Sequence, residues 1–387
     1  MLIRSIILSG IFLFGIKLFA ATDSLQLSLL TCDPGEELYS TFGHTALKVQ
    51  DLRSGQTYVF NYGTFNFREP NFYLKFMRGK LNYYLTVQDL DSFLSEYTEE
   101  NRAVHEQILN LSDSAKHIFF EALKLNARPE NRAYKYDFFW DNCSTRIRDK
   151  IEQGYDHQIN YLPIAKMTFR DLLHKYLVDK PWSRFGIDLI LGLPCDEIAD
   201  TRKSMFLPIE MMHAFDTLLV ENPSWMKHSE IVLSSIPYTK TKSVITPAFV
   251  FTLILIWMIM LFYLNKGLFN LFSNIFMIST GIGGCIIGFL WFFSDHVTTI
   301  HNLHFIWASP LALLYPFRRG LFNESFLKKL SLIYLVLLGL LMLSLPFGPQ
   351  KMPFPCVLIW LTLAWIVVRD ILPSANGKNE SLHRIQA

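Results

Sequence analysis

Charge is scarce in the C-terminal part of this sequence. Of 36 Lys/Arg and 34 Asp/Glu, only 9 and 4 fall after residue 242, which excludes an ordinary soluble domain there. Residues 1–242 hold the other 57 charges at a net −3, against +5 beyond them. This polar part has no basic run or stripe, which excludes a nucleic-acid protein. It also has no internal repeat and no low-complexity stretch. No HExxH and no zinc-type spacing occur anywhere, so neither a metal nor another cofactor is expected.

What fills the charge-poor part is apolar. Residues 245–264, 268–293, 297–317, 330–350 and 352–368 contain no Asp, Glu, Lys or Arg. A helix needs about 20 residues to cross ~30 Å of hydrocarbon, so five spans are expected, the third made irregular by Pro310 and Pro316. At the other end, Arg4, an apolar stretch from Ser5 to Phe19, and Ala20-Ala21 read as a signal sequence over 1–21. Lys17 interrupts it and the residue at −3 is bulky, so cleavage and retention as an anchor both stay open. With 22–242 exported, five spans place Lys266, Arg318, Arg319, Lys328, Lys329, Arg369, Lys378 and Arg384 in the cytoplasm and only Lys351 outside, as the positive-inside rule asks. The expected organisation is a signal sequence (1–21), an exported domain with its connector (22–242), a transmembrane domain (243–372) and a cytoplasmic tail (373–387).

The exported part reads as α+β. Residues 25–32 and 44–51 alternate like half-buried strands, 53–56 make a turn, and 57–65 form another strand. Alternation puts His44, Ala46 and Lys48 on one face and Thr45, Leu47 and Val49 on the core face. Residues 88–110 and 112–126 have helical spacing, the second capped by Ser112 or Asp113, and 201–242 reads as a Pro-punctuated connector. Cys32, Cys143 and Cys195 are an odd number of exported cysteines. Either Cys32 and Cys195 pair and leave Cys143, or all three are reduced.

The chemistry centres on YDFFWDNCSTRIRDKIEQG, residues 136–154. Asp141 or Asn142 caps a helix and puts Cys143 in its first turn, where unpaired N–H groups and the dipole favour a thiolate and Arg146 adds charge. The same N–H groups suit an oxyanion. On this segment alone, a buried structural cysteine is the commoner outcome. A thiol nucleophile also needs a base, and His44 in STFGHTALKV is the best candidate, with Asn61, Glu37 or Tyr62 to orient it. A lone strand histidine is more often simply hydrogen-bonded structure.

A strand-borne His followed about a hundred residues later by Asn-Cys at a helix start resembles the circularly permuted NlpC/P60 branch of papain-like folds. More closely, YSTFGHTALKV, NYGTFNF, PNFYLKFMRGKLNYYL, DFFWDNCSTRIRD and MFLP at 205–208, in that order before a multi-span tail, resemble the Lnb-type lipoprotein N-acyltransferase family. The resemblance implies a permuted papain-like (NlpC/P60-type) exported domain followed by an all-α five-helix transmembrane domain. It implies a multi-pass enzyme of the bacterial inner membrane, with its catalytic domain in the periplasm and its C-terminus in the cytoplasm. Such an enzyme moves an acyl chain from a phospholipid, through a cysteine thioester, to the α-amine of a diacylated lipoprotein. Cys143 and His44 would be nucleophile and base.

The loop 292–311 carries Asp295, His296, His301 and His304, and by the resemblance Ser294, His296 and Asn302 match a Ser-x-His and a later Asn. A role in the site and a hydrated interfacial loop are equally good readings. Aromatic and basic residues from Phe65 to Leu85 suit a headgroup region, though an ordinary packed segment is the more frequent outcome. The rival functions are a membrane-anchored cysteine hydrolase, either peptidoglycan peptidase or phospholipase, and a non-enzymatic membrane scaffold or sensor.

Overall fold

The computed structural model describes residues 24–155, 159–221, 226–236 and 244–371. The expected signal sequence and cytoplasmic tail lie outside the described residues. The chain runs β1 (Leu25–Cys32), β2 (His44–Asp51), β3 (Thr57–Thr64), α1 (Phe72–Met77), β4 (Asn82–Gln88), α2 (Leu90–Glu99), β5 (Val104–Leu109), α3 (Asp113–Asn126), β6 (Ala133–Lys135) and α4 (Cys143–Gly154). A short ribbon of β7 (Met167–Thr168) and β8 (Ile198–Ala199) encloses α5 (Phe169–Tyr176) and α6 (Pro181–Ile190). Then come α7 (Thr201–Ser204), α8 (Pro208–Glu221) and β9 (Met226–Leu233).

Seven strands form one antiparallel sheet in the order β6-β4-β3-β2-β1-β5-β9. The expected strands and hairpin are there, the turn held by the Asp51 carboxylate accepting from the Arg53 and Ser54 N–H groups. β1 lies mid-sheet and is almost wholly buried, because both sheet faces are covered. Phe119 and Leu123 of α3, Ile147 and Ile151 of α4, and Met211 and Phe215 of α8 pack on one face with Leu47 and Val49. Phe93 and Tyr97 of α2 pack on the other with Ala46 and Cys32. The strand alternation therefore holds, but Lys48 is not solvated. Under α2 it is buried against Glu106 at 2.6 Å.

Two expectations about elements fail. Residues 88–110 are not one helix: α2 stops at Glu99, Asn101 takes a left-handed φ of 50°, and 104–109 become a strand between β1 and β9. Residues 201–242 are more than a connector, since α8 covers the sheet and β9 extends it through β5.

Beyond residue 246 come α9 (Pro247–Leu264), α10 (Lys266–Phe292), α11 (His304–Trp307), α12 (Arg318–Leu321), α13 (Glu324–Ser344) and α14 (Phe354–Ile371). Among the described residues four helices, α9, α10, α13 and α14, are long and apolar enough to cross a membrane. The expected third span is not a helix of that kind: 297–317 is a 3-10 turn at Val297–Thr299, α11, and 3-10 helix at Pro310–Phe317. Proline removes an N–H and clashes with a regular helix. This broken segment still travels from one end of the bundle to the other. Thr299 bonds the Leu290 carbonyl near the start, Tyr334 of α13 donates to the Trp307 carbonyl midway (2.7 Å), and Arg318 pairs with Asp370 at the far end (2.8 Å). Gly284 of α10 makes room for it, since a Cβ there would stand 1.9 Å from the Ala308 carbonyl oxygen. Irregular backbone at membrane depth is tolerable where protein buries it.

The helical region meets the first domain through polar contacts. Lys351 pairs with Asp171 (2.5 Å), Gln350 donates to the Leu191 carbonyl, and Trp182 donates to the Ile245 carbonyl.

Candidate active site

Three elements bring their ends together. α4 starts at Cys143 because Asn142 is its N-cap: Asn142 Oδ1 accepts from the Ser144 and Thr145 N–H groups (both 2.9 Å), and Thr145 Oγ1 accepts in return from the Asn142 N–H (2.8 Å). Such a cap is worth about 1 kcal/mol. Asn142 Nδ2 donates to the Phe138 and Phe206 carbonyls, so Asn142 fixes the helix start in place. β2 starts at His44, and Thr45 Oγ1 lies 2.8 Å from Ser144 Oγ, tying strand to helix. From β3, Asn61 Oδ1 lies 2.5 Å from His44 Nε2 and accepts its proton. That leaves Nδ1 as the nitrogen for the Cys143 thiol. Gly63, with φ +97°, completes the cluster: a Cβ there would lie 3.8 Å from Cys143 Cβ and 3.9 Å from His44 Cε1. Both are ordinary contact distances, so it is the positive φ that calls for glycine, and a glycine inside a strand is the sequence signal that points to it.

Burial pushes the Cys143 thiol up. The charge and hydrogen bond of His44, with bonds from Thr45 and Ser144, outweigh it and hold the thiol below its ordinary range. Burial likewise pulls the His44 imidazole down, while the Cys143 charge, its hydrogen bond and Asn61 raise it to a net position above the usual histidine range. The two shifts run in opposite directions, each favouring a thiolate beside an imidazolium. Arg146 does not supply the positive charge, because it is bound to Asp141 (2.5 Å) and stacks on Tyr134 at 3.7 Å. All five cysteines are free. Cys32 faces His44 across the β1–β2 pair rather than meeting Cys195, and burial pushes both thiols up to about 12.

The other candidates scatter. Glu37 is exposed on its loop, and its carbonyl oxygen accepts from the Ser40 and Thr41 hydroxyls. Tyr62 reaches the other way, to Asn126 (2.6 Å). Ser294 bonds the Leu290 carbonyl at the end of α10. His296 Nε2 donates to the Phe76 carbonyl (2.9 Å), and the Asp295 N–H donates to the Arg78 carbonyl, so this loop holds α1 against α10. Asn302 is fully buried, donating to the Leu189 carbonyl (2.8 Å) and accepting from the His304 N–H. His304 is buried beside Trp307, and His301 lies against Trp291, so the histidines of the loop do not converge. The aromatic-basic stretch divides: Phe65, Phe72 and Tyr83 pack inward, while Phe67 and Tyr73 remain exposed.

Two cavities lie in this region, the first lined by His44 and the second by neither member of the pair. A polar one of about 200 Å³ is lined by His44, Asn61, Gly63, Glu96, Glu100 and Arg102. A larger apolar one, of about 850 Å³, lies between the first domain and α10. A buried thiol beside an oriented imidazole is an arrangement in which one can serve as nucleophile and the other as its base.

Residues 17–175 match the Lnb N-terminal periplasmic domain, and residues 239–374 match the Lnb transmembrane domain. No curated protein and no solved structure matches the chain. Because both parts match, in order, the two domains of one family, the protein belongs to the Lnb family, membrane enzymes that modify lipoproteins and carry a periplasmic domain on transmembrane helices.

Proposed function

We propose that the protein is a lipoprotein N-acyltransferase of the inner membrane. Cys143 attacks a phospholipid ester, holds the acyl chain as a thioester, and passes it to the α-amine of a diacylated lipoprotein. The observation that carries this reading is the Cys143–His44–Asn61 arrangement, with the thiol shifted down and the imidazole up, in a domain packed against the end of α10.

Bonds and protons balance with one base. The thiolate adds to the ester carbonyl. Asn142 has taken the Ser144 and Thr145 N–H groups, so the helix-start donor left for the oxyanion is the Cys143 N–H. The C–O bond then breaks and His44 gives its proton to the departing lysophospholipid oxygen. In the second half-reaction the amine, neutral in part near pH 7–8 because α-amino groups titrate at about 7.7–8.0, adds to the thioester. His44 takes its proton, the C–S bond breaks, and the starting pair returns. Asn61 orients the imidazole. Asn142 acts by placing Cys143, and His296 and Asn302 act by joining the two domains. Membrane attachment brings both substrates to a site that excludes water in favour of an amine.

Orientation is part of the proposal. Lys266, Arg318 and Arg369 gather at the bundle end away from the periplasmic domain, where Arg369 bonds Asn270 and Arg318 bonds Asp370. Lys351 sits at the opposite end, on Asp171. That distribution supports five crossings, the third being the broken segment 297–317, with the C-terminus in the cytoplasm.

Purified protein given phospholipid and a diacylated lipopeptide should yield lysophospholipid and a peptide heavier by one acyl chain, and Cys143→Ala should abolish both. Free fatty acid released at the same rate without peptide, with no N-acylated product, would make the enzyme a phospholipase.

A further inference from the structure

We propose that the apolar chamber between the periplasmic domain and α10 is the binding site for the donor's fatty acyl chain, which enters sideways from the outer leaflet. This rests on the acyl-transfer reading and adds to it where the chain lies. One wall is membrane helix: Ile282, Cys285, Ile286 and Phe289 of α10 face the cavity. The opposite wall is periplasmic domain, from Leu74, Phe76 and Met77 of α1 inward to Leu81 and Tyr83. A cavity with one wall in the bilayer and one above it is reached from lipid without passing through water.

Its inner end stops at a tyrosine pair beside the reacting thiol, which does not itself line the cavity. Tyr83 and Tyr136 stack there at 4.4 Å, Cys143 packs in the same apolar cluster as Leu81 and Tyr83, and the Cys143 charge acts on Tyr136. Phe42, two residues before His44, also lines it. The volume of about 850 Å³ lies in the ~300–1,000 Å³ range of small-molecule sites. The lining, apolar apart from His296, Thr298 and Thr299, leaves little for a headgroup to bind inside. The headgroup belongs at the lip, where exposed Arg78 precedes Gly79 and Lys80 lies near Asp295. A peptidoglycan peptide, polar along its length, has no use for such a chamber.

The test uses the full-length protein and a phosphatidylethanolamine with a diazirine near the end of its hexadecanoyl chain. Lipid-facing α13 should be labelled in any case. The informative adducts are on Leu81, Tyr83, Tyr136 or Phe138, which lie in the periplasmic domain. They are expected in wild type and in Cys143→Ala, which binds without reacting. Ile286→Trp or Cys285→Trp should shorten the chamber. With each buried methylene worth roughly fourfold, either change should cut the ratio of hexadecanoyl to octanoyl transfer at least about tenfold, while Cys143 alkylation shows the fold intact. Adducts confined to the membrane helices, or a chain-length ratio unchanged in both tryptophan variants, would overturn the chamber assignment. Periplasmic adducts without N-acylated product would overturn the acceptor assignment and leave the chamber standing.

Discussion

His44 and Asn61 come from neighbouring strands and meet at 2.5 Å through Nε2 and Oδ1. The carboxamide accepts the Nε2 proton, fixes the tautomer, and turns the other ring nitrogen toward Cys143. Asn61→Ala should leave the protein folded but let the ring rotate. The expected loss in acyl transfer is about 10- to 100-fold, mostly in kcat, because positioning of a general base is worth on that order. An unchanged kcat would assign Asn61 a packing role only.

The thiolate–imidazolium pair has a pH signature. Cys143 is shifted down and His44 up, shifts that favour the ion pair, which fades on both sides of its window. Loss of thiolate sets the acid limb, and loss of the imidazolium proton sets the alkaline limb. Alkylation of Cys143 should therefore stay rapid below pH 8. In His44→Ala the burial remains without the compensating charge, so alkylation should move to higher pH. Wild-type alkylation rising only above about 8.5, the unperturbed thiol value, would refute the pair.

What was legible in the sequence follows from which signals are local. β1, β2, β3 and α3 carry clean periods and turn residues, and Cys143 announces itself by standing after an Asn cap. The segment 88–110 misleads because its apolar positions suit a helix as well as a helix followed by a strand. Only the left-handed Asn101 and the pairing with β1 decide between them. Lys48 reads as surface until α2 covers it. The segment 297–317 has enough apolar residues for the expected third span but its prolines break it, and its support comes from Gly284 and Tyr334 on other helices. The chamber has no sequence signature, since its walls come from α1, α10 and the region of Tyr136. Ser294 and Asn302, brought forward by family resemblance, lie at the domain junction, away from the thiol.

Asn142 offers a test of local architecture. Its side chain accepts from two backbone N–H groups at the α4 start and donates to the Phe138 and Phe206 carbonyls. Asn142→Ala should cost about 2 kcal/mol, from the cap and the orphaned groups. That is on the order of 4–8 °C in the midpoint of thermal loss of Cys143 labelling. A midpoint equal to wild type would show that the helix start is held by other contacts.

His296 fastens α1 to α10 through the Phe76 carbonyl and makes no contact with the thiol. His296→Ala should lower acyl transfer severalfold while leaving the rate and pH dependence of Cys143 alkylation unchanged. A shifted alkylation profile would mean that His296 acts directly on the pair.

Topology is open to direct measurement. The end of α10 and residues 350–351 touch the periplasmic domain, while Arg318, Arg369 and Asp370 meet at the opposite end of the bundle. A chain that crosses as α9, α10, the broken segment 297–317, α13 and α14 puts Lys266, Arg318, Arg319 and Arg369 on one side of the membrane and Lys351 on the other. Alkaline phosphatase fusions should be active near residue 240 and near Pro349, and inactive near Arg319 and after residue 371, with a cytoplasmic reporter giving the reverse. If instead 297–317 dips in and returns, α13 and α14 invert: fusions near Arg319 and after residue 371 would be periplasmic, and those near Pro349 cytoplasmic. The inversion would also carry Lys351 away from Asp171, so the 2.5 Å pair between them supports the five-crossing arrangement.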